Sequence, residues 1–220
     1  ATAAGLHWTF APTVDVARDQ RWGRVAEAAG EDVFLSCAFS AARVQGFQGD
    51  DLKAADTLLA TPKHFAAYGA VMGGLDYNSV EISEGTLRDV HLPPFKAALD
   101  AGALTIMSAF NDINGVPASA NHQLMTVILR HEWKFRGFVV SDYTADFELV
   151  AHGYASDDSE ATQLAFNAGL DMSMQSGLYG AHLAALVESG KIDVRTVDDS
   201  VRRVLAVKDA IGLFDNPYRS

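Results

Sequence analysis

An α/β fold built on a parallel sheet is what this sequence predicts, on three observations. Five short, nearly continuous apolar runs recur along the chain, each of a length that suits one strand buried on both faces. Longer stretches with apolar residues at helical spacing separate them. No linker, low-complexity tract or charge block divides the 220 residues, so residues 1–220 read as one domain. Two architectures satisfy this alternation, the (β/α)8 barrel and the open doubly wound sheet.

The first run spans Trp8 to Val14 and the second Leu58 to Phe65. The second is the weakest, because Pro62 has no N–H to give a ladder and is expected to mark the strand's end. Ala103 to Phe110, Phe138 to Ser141 and Leu170 to Met174 follow. Among the helices, Leu35, Phe39 and Ala42 share one face after the acidic start Glu31-Asp32. Ser83 to His91 forms a helix that must stop before Pro93-Pro94, where a second one starts, since proline is accepted in a first turn but not in a helix interior. Asn121 is the expected N-cap of a helix with the stripe Leu124, Val127, Ile128 and Phe135. The last helix buries Val197, Val201, Val204, Leu205 and Ile211, leaves Arg202 and Arg203 outward, and stops at Gly212.

Composition excludes several functions. Lys plus Arg number 17 against 28 Asp plus Glu, a net charge of −11 that repels a nucleic-acid backbone. No stretch of ~18 apolar residues is present to span a membrane as a helix. The single Cys37 has no disulfide partner within the chain and reads as a small core residue. The seven histidines lack metal-ligand spacing, and neither a glycine-rich nucleotide loop nor a G-x-S-x-G elbow occurs, so no metal and no cofactor is expected.

In either parallel architecture the functional residues follow the carboxyl ends of the strands. Those positions hold Asp15 and the cluster Arg18 to Arg24, then Lys63-His64, Met107 to Asn111, Asp142-Tyr143 and Asp171. Cations, carboxylates and aromatics without a phosphate loop suit a neutral polyhydroxylated ligand. Each has a plainer alternative. For Asp142 the alternative is a structural carboxylate bound to loop amides, with the strand-end position favouring function; for Lys63-His64 it is a buried pair tying two strands together; Asp15 and Asp171 read as structural caps. Arg18 and Arg21 read as loop staples paired with Glu27, Glu31 and Asp32.

Several blocks carry a resemblance. FAPTVDVARDQRWGR with GED, then KHFAAYG, SEGTLRDVHLPPFKAALDAGA, MSAFNDINGVPASAN, GFVVSDY and DDSVRRVLAVKDAIGLFDNPY resemble glycoside hydrolase family 3, in the family's order and over nearly the whole chain. The closest likeness is to bacterial β-glucosidases. The resemblance implies a (β/α)8 TIM-type barrel and a retaining mechanism on an oligosaccharide or β-glucoside substrate. It makes Asp142 the nucleophile. Arg24, Lys63 and His64 grip the hydroxyls of the terminal glucose, and the two permanent cations favour an ionised Asp142. Met107 and Phe110 line the same subsite, and Tyr143 walls the neighbouring aglycone subsite.

Four departures from the family pattern stand out. Gln20 replaces a proline, Gly85 an arginine, and Phe110 a tyrosine that often donates to the nucleophile. The fourth concerns the acid. A retaining enzyme needs a second carboxyl group about 5–5.5 Å from the nucleophile, and the family usually takes it from an α/β sandwich domain after the barrel. A subfamily uses a barrel-loop histidine instead, but Ala67-Tyr68 stands where that motif has Gly-His. No acid/base residue is therefore assigned within these residues.

A full barrel needs roughly 250 residues, and five strands are counted here where eight are required. The expectation is a partial barrel lacking its first strands, without the sandwich domain, inactive and prone to self-association by itself. Family members are often periplasmic or secreted. Three alternatives stay open: a β-xylosidase-type hydrolase of the same family, a Schiff-base lyase using Lys63, and a non-catalytic piece.

Overall fold

The computed structural model describes residues 1–218. The five apolar runs lie side by side in chain order, all parallel. Trp8 bridges Leu59, Thr13 bridges Lys63, Phe65 bridges Ser108 and Val140 bridges Met172. The middle of the array forms a regular ladder between β1 (Thr105–Met107) and β4 (Phe138–Val140), with Ile106 opposite Val139. Both strands are fully buried, as the unbroken apolar runs require. An antiparallel hairpin of β2 (Asp112–Ile113) and β3 (Val116–Pro117) lies in the loop between them.

Pro62 does not end its strand. It lacks a donor, but its carbonyl accepts from Met107 N at 3.1 Å and pairing continues to Phe65, whose N–H reaches Met107 O at 2.7 Å. The strand keeps its ladder because the missing N–H is balanced by an acceptor that is still used. Gly137 makes the closest approach in the sheet: a Cβ there would stand 1.9 Å from Leu104 O, so only glycine fits at the entry to β4.

The helix starts follow their caps. Asp32 Oδ1 accepts from Leu35 N (2.7 Å) at the head of α1 (Val33–Gln48). Ser83 Oγ accepts from Thr86 N (3.0 Å) ahead of α2 (Glu84–Thr86), which runs into a wider helical stretch over Leu87–His91. Then α3 (Pro93–Asp100) opens on its prolines. Asn121 Oδ1 accepts from Leu124 N (3.1 Å) before the wide helical stretch Gln123–Glu132, which buries Leu124, Met125, Ile128 and Leu129. Completing the set are α4 (Asp158–Ala168), α5 (Leu178–Glu188) and α6 (Val194–Ala210).

Two helix faces differ from the sequence pattern. In α1 the buried residues are Ser36, Ser40, Val44 and Gln48, while Leu35 and Phe39 are 43% and 44% exposed and Ala42 is exposed too. The cause is close packing on α3, which admits small side chains: Val44 meets Ala60, Ala98 and Ala103. Gln48 serves this contact, donating to Gly102 O (2.9 Å) and accepting from Ala60 N (3.2 Å). Cys37 is half-buried on the flank rather than in the core, and partial burial pushes its thiol pKa up. In α6, Val207 and Ser200 face inward with Ile211 just beyond the helix, whereas Val201 and Leu205 are exposed. Arg203 turns inward because Asp171, buried in the fifth run, needs positive partners: Arg203 Nη1 donates to Asp171 Oδ1 at 2.8 Å.

Candidate active site

Because the five runs are parallel, the residues that follow them gather at one edge of the sheet. Asp15, His64 and Asp142 meet there in a line. Asp15 Oδ2 accepts from His64 Nδ1 at 2.8 Å and from His64 backbone N at 3.1 Å, and both side chains are fully buried. On the far side of the ring, His64 Nε2 faces Asp142 Oδ2 at 3.4 Å. These two atoms are not aligned as a hydrogen bond, and both are buried without a partner. The other carboxylate oxygen, Asp142 Oδ1, accepts from Tyr143 N at 2.7 Å, which fixes the carboxylate plane. Unpartnered buried acceptors are costly in a core that only has to be stable, so they mark a place where another molecule's polar groups are expected.

Aromatic side chains wall the line. Tyr68 packs edge-on against His64 (5.2 Å) and Trp22 (5.2 Å), and Phe110 lies against Tyr77 at 4.5 Å and Tyr68 at 5.8 Å. The Trp22 indole N–H donates to Asp76 Oδ1 at 2.9 Å and anchors the loop that carries Arg24. Arg24 stands over the Tyr68 ring at 5.6 Å and donates from Nε (2.7 Å) and Nη2 (2.9 Å) to the two oxygens of Glu27. That hydrogen-bonded pair raises the arginine pKa and lowers that of Glu27. Lys63 is half-buried and lines an adjacent cleft of about 450 Å³ with Thr13, Glu27, Arg43 and Phe47. Tyr68 is fully buried, and burial, then the Asp76 carboxylate, hold its phenol protonated far above the usual range.

Comparison with known proteins decides what the arrangement belongs to. The profile of the "Glycosyl hydrolase family 3 N terminal domain" matches residues 1–207. The chain belongs to this family. A periplasmic β-glucosidase of Salmonella typhimurium is 45% identical over 97% of this chain, and a putative β-xylosidase of Formosa agariphila 40% identical over 97%. A crystal structure of a β-glucosidase from Listeria innocua in complex with glucose superposes over 100% of the chain with a TM-score of 0.97 at 43% identity. The chain spans 28% and 29% of the two curated relatives and 31% of the solved chain.

Within this family 3 domain, the sequence-expected residues are distributed unevenly. His64, Asp142 and Phe110 converge, with Arg24 one ring away beyond Tyr68. Arg24 is charge-compensated by Glu27 rather than left free beside Asp142, and Lys63 shares its cleft with that same Glu27. Met107 is buried in a second core cluster with Leu59, Phe138 and Val140. Tyr143 is 56% exposed at the rim. Arg21 pairs with Asp19 instead of the acidic residues further on, and Asp32 is engaged as a cap. Asp171 is structural, held by Arg130 (2.5 Å), Arg203 and the Val139 N–H (2.8 Å).

The sequence reading passed over two groups. Asp15 looked like a cap, yet its partner is a residue 49 positions on, which chain spacing does not reveal. Glu148 lies beyond Asp142 on the short helix Phe147–Leu149, its N–H bonded to Thr144 O at 3.1 Å. Burial, and then the charge of Asp142, push its carboxyl up to about 7. Among the described residues no group of three or more His, Cys, Asp or Glu is arranged to hold a metal ion.

Proposed function

We propose that this chain is the nucleophile-bearing part of a retaining β-glucosidase, one portion of a (β/α)8-type barrel. What supports the reading above all is the pair of buried, unpartnered atoms His64 Nε2 and Asp142 Oδ2, side by side at the carboxyl ends of the strands. In this mechanism Asp142 Oδ2 attacks the anomeric carbon. The C–O bond to the leaving group breaks, the departing oxygen takes a proton from a general acid, and a glycosyl ester forms on Asp142. Water then cleaves the ester and restores the carboxylate. His64 Nε2 and Lys63 hydrogen-bond sugar hydroxyls, Arg24 joins them from its Glu27 pair, Phe110 closes the apolar side, and Tyr143 walls the leaving-group side. The acid is assigned to no residue of this chain, which spans 28–31% of its relatives, and we place the acid in the further part of the complete protein.

A glucosyl preference follows from the β-glucosidases at 45% and 43% identity, and the β-xylosidase at 40% supports a pentoside preference as the second reading. The test is to treat the complete protein carrying this chain with activated 2-deoxy-2-fluoro-β-glucosides and xylosides and map the adduct by mass spectrometry. The label is expected on Asp142, faster from the glucoside; a label on any other residue overturns the assignment.

A further inference from the structure

We infer that Asp15 is a positioning residue, which fixes the orientation and tautomer of His64 and thereby the atom that His64 presents to Asp142. The inference rests on the reading of Asp142 as nucleophile. A single oxygen of Asp15 accepts from both the ring Nδ1 and the backbone N–H of His64, so one carboxylate holds the residue by its ring and its main chain together. An ionised carboxylate only accepts, which places the proton of that bond on Nδ1 and leaves Nε2 as the atom facing Asp142 Oδ2.

Packing alone does not achieve this. The edge contact with Tyr68 sets the plane of the imidazole, but turning the ring by half a revolution exchanges nitrogen for carbon at nearly constant shape. Only a directional hydrogen bond distinguishes the two. Nor does stability account for Asp15: it is buried with one oxygen, Oδ1, lacking any partner, an arrangement that costs free energy in a merely structural role.

The test uses the complete protein with Asp15→Ala and Asp15→Asn, and 2,4-dinitrophenyl 2-deoxy-2-fluoro-β-D-glucoside, whose leaving group needs no acid. Rates are expressed per trapped site, so that loss of folded protein does not count. Loss of ring alignment at the nucleophile is expected to slow trapping by about 10²-fold in Asp15→Ala. Asp15→Asn keeps an acceptor but admits the wrong ring state, and is expected to slow it about tenfold. The ¹⁵N spectrum of the wild-type His64 ring should show the proton on Nδ1, with the bonded signal lost in Asp15→Ala. Trapping within twofold of wild type in a folded variant overturns the inference, and so does a wild-type ring protonated on Nε2 alone. The wild-type spectrum decides even where a variant does not fold. A label away from Asp142 fails the nucleophile assignment separately, with the Asp15–His64 result unaffected.

Discussion

At the scale of single residues, the site combines groups held in opposite conditions. Glu27 is bound to Arg24 and kept ionised, whereas Glu148, half-buried beside Asp142, is pushed up to about 7 from an ordinary 4.5. The stability consequence has a definite sign. Between pH 4.5 and 7 the folded protein holds the Glu148 proton that the unfolded chain releases, so this group stabilises the fold less and less as pH rises through that window, and is a constant penalty above it. Glu148→Gln cannot ionise. Its melting temperature should match wild type near pH 4.5, rise above it progressively, and keep a constant advantage beyond pH 7. Thermal melts across that range check this; an offset that does not vary with pH sinks it. Conversely, burial holds His91 down at about 4, with Arg18 acting in the same direction and Asp15 against it. Its contribution is complete above the ordinary histidine value of 6.5 and is lost as pH falls toward 4, opposite in sign to that of Glu148 over the shared range. Glu148→Gln, which removes the opposing group, should therefore lose melting temperature more steeply than wild type as pH falls through that range.

At the scale of elements, Asp171 shows how one buried charge joins three pieces of chain. It lies near the start of the fifth run, accepts from the N–H of Val139 in β4, and holds Arg130 of the Gln123–Glu132 stretch and Arg203 of α6. Removing the carboxylate strands two arginines, one of them largely buried, so Asp171→Ala should cost about 3–5 kcal/mol. Denaturant unfolding measures it, and a loss below about 1 kcal/mol would mean that the arginines find water instead. This junction also explains which parts of the fold were legible. Apolar continuity identified all five parallel runs, and Ser83, Asn121 and the double proline set helix starts, because those signals are local. Facing directions were not legible in α1 and α6. There the deciding partners, the alanines lining the α1–α3 contact and the Asp171 carboxylate, lie far along the chain, and periodicity sees only the helix itself. The same limit hid Asp15: a strand-end carboxylate looks alike whether it caps a loop or aims a histidine.

At the scale of the whole molecule, two surface properties oppose each other. The net charge of −11 keeps copies apart, while the outer face of α1 presents Phe34 at 83% exposure together with Leu35 and Phe39 within two turns. Contiguous apolar surface of this kind drives association when repulsion is weak. Charge repulsion acts over about 30 Å at 0.01 M salt but only about 3 Å at 1 M, whereas apolar contact is not screened. These 220 residues, produced by themselves, should therefore be most nearly monomeric in dilute buffer and associate as salt is added, the reverse of an electrostatically held oligomer. Light scattering coupled to size-exclusion chromatography over that salt range tests the trend. The double substitution Phe34→Gln with Phe39→Gln removes the two rings while changing neither the charge nor the buried face of α1, and should flatten the salt response. A wild-type chain that stays monomeric at 1 M salt, or a variant that associates as strongly, would show that this face of α1 is not what brings copies together.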